Sequence, residues 1–506
     1  MLAKVISATV VGLEAVQITV EVDVAARGFP TFKIVGMPDK SIEESKDRIR
    51  TALANASFPM PESKIVVNLS PADIQKEGSA FDLPIAIGLL AAQGFVKYDV
   101  FAQSLFVGEL SLDGKLQQIS GVLPIVSHAK KLGLKAVFLP EQNVHEASLI
   151  KDILLFPLQK LTDLILHLNE HVQLKAYVSQ TFVSPQTVIS SSDYADVKGQ
   201  IVAKRALEIA AAGGHNVMFK GPPGAGKTML ARCFPSILPS MDEDEIIEVT
   251  KIYSVAQALS DSSVLTQRPF RAPHHTISRI GLIGGGRYLS PGEITLAHRG
   301  VLFLDEFPEY PRSVIEALRQ PLEDGKITIS RASGVIDFPA RFILIAAANP
   351  CPCGFLGHPQ KPCNCTMTQI LNYKKRVSGP ILERIDMHVD VFPVKKDELL
   401  SEELQGERSE AIRSRVEIAR KIQKERFHAN QIKTNAEMQT RHIKKYCSME
   451  DKTKILLRSA FSRLSLSART YYKIIKISQT IADLEKSKTI KSHHISEAIQ
   501  YRIKEE

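Results

Sequence analysis

Gly221-Pro222-Pro223-Gly224-Ala225-Gly226-Lys227-Thr228 is the segment with the plainest chemical capacity. Its glycines let the backbone wrap around phosphate groups, and N–H groups at the start of a following helix attract anions. A lysine at the end of such a loop reaches the β- and γ-phosphates of a nucleotide such as ATP. The hydroxyl beside it binds Mg²⁺. HNVMFKG reads as a strand entering the loop and MLARCF as a helix leaving it, which is the context this chemistry requires. Downstream, four apolar residues, Val301 to Leu304, precede Asp305 and Glu306. Such a run reads as a buried strand of a parallel sheet, whose C-terminal end is where ligands sit. Asp305 there would stabilise the Mg²⁺ shell, and Glu306 would orient or deprotonate the attacking water. A third strand starts at Arg341 and ends on Asn349. Asn349 can hydrogen-bond the water or the γ-phosphate. It can equally be an ordinary strand-end residue before Pro350.

A second group of reactive residues follows at once. Cys351-x-Cys353 and Cys363-x-Cys365 hold four of the six cysteines. Four thiolates make a structural Zn²⁺ site, with His358 able to replace one of them, although the gaps are tighter than usual. Free thiols in a surface loop are the other reading. The loop leaves Asn349 directly, so its order bears on that strand. A chain this long is not a secreted disulfide scaffold, and a reducing, cytoplasmic location is expected.

The elements that must position these groups are set by length and pattern. The chain has 506 residues, enough for about three domains. Hydrophobic residues make up 44% and charged residues 24%, an ordinary soluble composition. There is no apolar run long enough to span a membrane, and the start carries Glu14, Glu21 and Asp23 and reads as a strand, not an export signal. Residues 1–175 alternate strands and helices as an α/β domain. Ser41, with Glu44 three residues on, is the expected cap of the helix SIEESKDRIRTALANA. Residues 176–193, rich in Ser, Thr, Pro and Val, read as a linker, residues 194–393 as the nucleotide domain, and residues 394–506 as helices. The net charge is +9. From Lys395 onward there are 25 basic and 16 acidic residues, so the excess lies in the C-terminal region. Such a region is either a footprint for a polyanion or a solvated helical face.

With these residues in view, a family resemblance is specific. RPFRAPHHTIS (268–278), PGEITLAHRGVLFLDEFPEY (291–310), ALRQPLEDG (317–325), AAANPCPCG (346–354), SGPILERIDMH (378–388) and SLSART (465–470) resemble the magnesium-chelatase-like AAA+ ATPases of the YifB/ComM family over essentially the full chain. The resemblance implies a parallel-sheet P-loop domain with a helix-2 insert and a pre-sensor hairpin, a helical C-terminal lid, and a homohexameric ring. It implies that Arg384 is a trans-acting arginine finger and Arg469 the sensor arginine of the lid. Where the family often carries a further arginine near its end, this chain has Gln479, which puts the weight on Arg469. Lys326-Ile-Thr-Ile-Ser-Arg331, a small turn and Val-Ile-Asp-Phe read as a β-hairpin. In the resembling helicases this hairpin enters the ring channel, where Lys326 and Arg331 would contact DNA phosphates; a solvated surface hairpin is the alternative. His274, His275 and the glycines 284–286 read as a mobile insert loop near the pore or a subunit interface.

The N-terminal part, KEGSAFDLPIAIG (76–88) and residues 108–143, resembles the proteolytic domain of Lon. The positions of its serine–lysine dyad fall on Ala80 and Leu123, with Ser79 one place off. A serine without a base is a poor nucleophile, so no peptidase activity is expected. The resemblance as a whole implies a Mg²⁺-dependent ATPase that acts on single-stranded or branched DNA. Branch migration in recombination or natural transformation is its expected task, with recombination proteins as candidate partners. The alternative is a chelatase-type ATPase that remodels a partner protein.

Overall fold

The computed structural model describes residues 1–99, 101–178, 193–259, 264–286, 289–331, 334–358, 360–394, 406–428 and 432–503. Most of the expected linker 176–193 and the start of the expected lid region lie outside these residues. The chain forms two compact units. One comprises Met1–Ser184 with Glu243–Leu265, the other Pro185–Asp242 with Thr266–Glu506.

The first unit is built on a seven-stranded mixed sheet. Its order is Thr31–Val35, Lys64–Ser70, Glu14–Val24, Leu2–Val11, Ser104–Phe106, Ala136–Pro140 and Leu154–Leu158. Side chains alternate across it. Phe106 and Phe138 enter one core with the helices Lys40–Asn55 and Asp82–Ala92, while Leu105, Val107, Val137 and Leu139 enter a second core with the helix Val122–Lys131. Helix Asp82–Ala92 is buried along its whole length, which explains why it is apolar all round. Helix Lys40–Asn55 is capped by Asp39, whose side chain accepts from the Ile42 N–H at 2.9 Å. The expected cap, Ser41, lies inside the helix instead, since the helix already starts at Lys40, three residues after Met37, which has a positive φ. Helix Glu243–Val255 belongs to this unit although it follows the phosphate-loop helix in sequence. The Gly121 N–H donates to the Ser254 carbonyl at 3.2 Å, and Lys251 pairs with Glu14 at 2.6 Å.

The second unit holds a five-stranded sheet in the order Phe270–Arg271, Val301–Leu304, Ile343–Ala348, Val217–Lys220, Met387–Asp390, with every pair parallel. Val301–Leu304 and Ile343–Ala348 are buried at every position, as their unbroken apolar runs predict. Helix Ile201–Gly213 packs between this sheet and the C-terminal helices Ser409–Phe427 and Ala468–Leu484, so one continuous core joins them. Ile412, Val416 and Ala419 face that core. Gln423 lies there too, buried because its amide donates to the Ala212 carbonyl at 2.9 Å.

A buried polar knot ties the C-terminal helices together. Asp483, with no exposed side-chain surface, accepts from Arg426 at 2.8 Å, Asn435 at 2.8 Å and Gln479 at 3.0 Å. Gln479 is therefore an interior partner of Asp483 and presents no side chain to solvent. Removing one member of a buried ion pair strands the other charge, at a cost of about 3–5 kcal/mol. Arg426→Ala is expected to lose that much in chemical denaturation. A loss within about 0.5 kcal/mol, the range of surface substitutions, would contradict this account of the knot.

Candidate active site

The phosphate loop runs from the end of strand Val217–Lys220 to helix Lys227–Cys233. Gly224 and Gly226 have φ values of 77° and 88°, backbone that favours glycine, and nothing lies within 4 Å of where their Cβ atoms would be. Gly221 is glycine for another reason: a Cβ there would run into the Val391 carbonyl oxygen beyond the neighbouring strand. The loop is thus open on the side a phosphate chain would occupy and closed on the side of the sheet.

Lys227 is 8% exposed. Its ammonium donates to the carbonyls of Gly221 at 2.6 Å and Pro222 at 2.9 Å, and to Oδ1 of Asn349 at 3.1 Å. Burial draws this lysine below its ordinary pKa, and Asp305 and Glu306 oppose the shift. The Thr228 hydroxyl donates to Asp305 at 2.7 Å. The ends of three parallel strands, carrying the phosphate loop, Asp305 and Asn349, therefore converge on two adjacent residues. The oxygen pair of Thr228 and Asp305 suits Mg²⁺, a hard cation bound through few carboxylates and substrate phosphates. Such an ion, when bound, neutralises charge on the phosphate oxygens.

Glu306 sits in left-handed backbone, φ 50°, with its N–H donating to Asp305 at 2.9 Å. Its carboxylate is about half exposed at 54% and lies 3.2 Å from His275 Nδ1. The adjacent His274 ring packs on His275 at 4.1 Å, and Tyr310 bonds the Pro273 carbonyl at 2.5 Å. Burial, with Asp305 and Glu306 nearby, pushes the Tyr310 phenol above its usual pKa. The histidine pair thus borders Glu306. The glycines after it are not a free loop: Gly284 and Gly285 pair with Ser290–Pro291, and a Cβ on Gly284 would lie 2.6 Å from the Ser290 carbonyl oxygen. Arg287 lies outside the described residues.

Arg384 and Arg469 meet on one carboxylate. Arg384 donates to Glu323 through Nε at 3.1 Å and also through Nη2, and Arg469 donates to the other oxygen at 3.1 Å. The Arg384 side chain is 16% exposed and Glu323 51%. The two guanidinium groups hold the Glu323 carboxyl below its ordinary pKa. Neither His275 nor Glu323 is marked by spacing in the sequence. The acid after ALRQPL is the one local hint of Glu323, and only the fold brings the two arginines to it.

The hairpin is present as Lys326–Arg331 paired with Gly334–Pro339. Lys326 is engaged across the hairpin by Asp337 at 2.7 Å. The residues of its tip and the Arg331 side chain lie outside the described part. In the first unit, the Ser79 hydroxyl donates to Glu109, the buried Lys76 ammonium donates to the Pro71 carbonyl, and Leu123 is core. Ala80 is partly buried beside that core. The four cysteines close on one point: Cys351 to Cys353 is 3.4 Å, Cys351 to Cys363 3.7 Å and Cys353 to Cys363 3.6 Å between sulfurs, with Cys365 in the same group. His358 accepts from the backbone of Gln360 and Lys361 and is not one of the four.

A five-stranded parallel sheet with a phosphate loop, an acid-tipped strand beside the Asn349 strand and a helical C-terminal region is the AAA+ class of P-loop fold. Family models agree with it: "Magnesium chelatase, subunit ChlI" matches residues 193–399, "Subunit ChlI of Mg-chelatase" residues 20–143, and "Magnesium chelatase, subunit ChlI C-terminal" residues 406–502. The chain is 44% identical to competence protein ComM of Haemophilus influenzae, over 99% of this chain and 97% of that protein. It is 39% identical to the uncharacterized protein YifB of Escherichia coli, over 97% and 95%, and 39% identical to YifB of Salmonella typhimurium, over 99% and 97%. The chain belongs to the YifB/ComM family of magnesium-chelatase-like ATPases. Among the described residues, no helix is long and apolar enough to cross a membrane.

The closed side of the loop gives a direct expectation. Gly221→Ala must push the loop off Val391, and overpacking of this kind costs about 1–3 kcal/mol. Binding of a fluorescent ATP analogue is expected to weaken about 5- to 150-fold by that cost, with the far-UV circular dichroism unchanged. Wild-type affinity would contradict the assigned fit.

Proposed function

We propose that this chain is a Mg²⁺-dependent ATPase that works as a homohexameric ring on DNA, driving branch migration of recombination intermediates. The observation that carries the ATPase part is the convergence of Lys227, Thr228, Asp305 and Asn349 at the strand ends. Lys227 and the loop N–H groups bind the phosphates of the substrate, and Thr228 and Asp305 hold the metal ion. Glu306 accepts the proton of the attacking water, and His275 orients its carboxylate. Asn349 ties the position of Lys227 to the strand beside it. The competence role in the name of the Haemophilus relative supports action on DNA.

Arg384 acts on the nucleotide of a neighbouring subunit, and Arg469 contacts the γ-phosphate in cis or in trans. Their shared partner Glu323 is half exposed, and exposed ion pairs are worth only about 0–1 kcal/mol. Exchanging it for phosphate oxygens is therefore inexpensive, because arginine makes charge-assisted bonds to carboxylate and phosphate alike. DNA runs past the hairpin Lys326–Arg331, where Lys326 must first leave Asp337 to reach a phosphate.

Two experiments test this reading. The ATPase rate is measured alone and with single-stranded, duplex and four-way-junction DNA at two salt concentrations. Stimulation that weakens with salt is expected, since phosphate contacts release counterions. Healthy basal turnover indifferent to every DNA would favour the remodelling of a partner protein. In the second, Arg384→Ala is mixed with Lys227→Ala. Each alone is expected to lose turnover by about 10³-fold or more, and mixed rings to recover part of it. No recovery would contradict action between subunits.

A further inference from the structure

The four clustered cysteines lie outside the catalytic set, yet their loop touches it. A single ion held by four thiolates at about 2.3 Å in a tetrahedron requires sulfur–sulfur separations of about 3.8 Å. The observed separations are 3.4, 3.6 and 3.7 Å, and all four sulfurs lie within 4.8 Å of one another. A disulfide would need about 2.05 Å, and all six cysteines are free. An iron–sulfur cluster spreads its thiolates over several iron atoms, so it needs a wider set. The backbone is shaped to the sulfurs as well. The Leu356 N–H donates to Cys351 Sγ at 3.3 Å, the kind of bond that steadies a thiolate ligand. Gly354, at φ 82°, closes a turn over the first pair, its N–H donating to the Cys351 carbonyl at 3.0 Å.

The same turn leans on the phosphate loop. A Cβ on Gly354 would lie 2.6 Å from the Pro223 ring and 3.8 Å from the Asn349 amide carbon. Asn349, two residues before Cys351, accepts from Lys227. From these contacts we infer that Cys351, Cys353, Cys363 and Cys365 bind one zinc ion, and that this ion pins the turn Cys351–Gly354 against Pro223 and Asn349. Zinc in this place is structural: four protein ligands leave no open position for water or substrate. It holds the loop and Asn349 in the arrangement that receives nucleotide. That second role rests on the ATP-binding reading above; the metal site itself does not.

The test uses the full chain and begins without nucleotide. Elemental analysis of dialysed protein is expected to give one zinc per chain, released on titration with an organomercurial. Cobalt-loaded protein is expected to show the charge-transfer and d–d bands of a tetrahedral thiolate site. Zinc at background level together with no cobalt bands would overturn the site. These readings use wild-type protein, so they stand even if the double variant Cys363→Ser/Cys365→Ser fails to fold. Where that variant folds, its zinc content is expected to fall to background, and retained zinc would overturn the ligand set. Binding of a fluorescent ATP analogue is then compared before and after mercurial release of zinc. A several-fold loss of affinity, restored by thiol and zinc, supports the pinning of the loop. Unchanged affinity in a protein that does bind nucleotide would overturn it. A chain that holds zinc but never binds nucleotide would fault the ATP reading instead.

Discussion

A buried ammonium organises the nucleotide unit. Lys227 is drawn out of water and must be met by oxygens on every side, because an unpartnered interior charge is intolerable. Two of those oxygens are carbonyls of its own loop, and the third belongs to Asn349 on another strand. The loop curvature, the strand order and the site of Asn349 are therefore linked through one side chain. Two carbonyls and an amide oxygen are weaker partners for an ammonium than phosphate oxygens, so the cradle is set to exchange them for substrate.

Strand order does the rest of the positioning. The Asn349 strand lies between the phosphate-loop strand and the strand ending in Asp305, and all three run parallel. Their polar C-terminal residues consequently emerge at one edge of the sheet. Val301–Leu304 and Ile343–Ala348, two of the three inner strands, are buried at every position, so both faces of each are covered. Behind the sheet, helix Ile201–Gly213 and the C-terminal helices share one core, so Arg469, at the start of Ala468–Leu484, is carried on a rigid element. Zinc at the four cysteines would add a further clamp on the loop beside Asn349.

Legibility in the sequence followed distance along the chain. The phosphate loop, the acids after Val301–Leu304 and the cysteine pairs are runs of neighbours, and their geometry was readable because local backbone sets it. The parallel sheet was readable from unbroken apolar strands. Pairings across long separations were not: Arg384 and Arg469 reach Glu323 over 61 and 146 residues, and no spacing rule announces them. The glycines that follow His275 suggest a mobile loop, whereas packing sets His275 against Glu306. Helix Glu243–Val255 was assigned by sequence order to the nucleotide domain, and its contacts lie with the N-terminal unit. The Asp39 cap and the interior Gln479 were missed for a related reason. Both are decided by where the chain bends or is buried, and residue type alone does not fix that.

Calorimetric titration of Mg-ATP into the wild-type chain and into Lys227→Ala decides whether this lysine receives the phosphates. Saturable binding to the wild type is expected. Loss of charge-assisted bonds worth about 1.5–3 kcal/mol should weaken the variant about 10- to 150-fold. Equal affinity of the two proteins would contradict the placement of the phosphates at this lysine, and with it the site built around it.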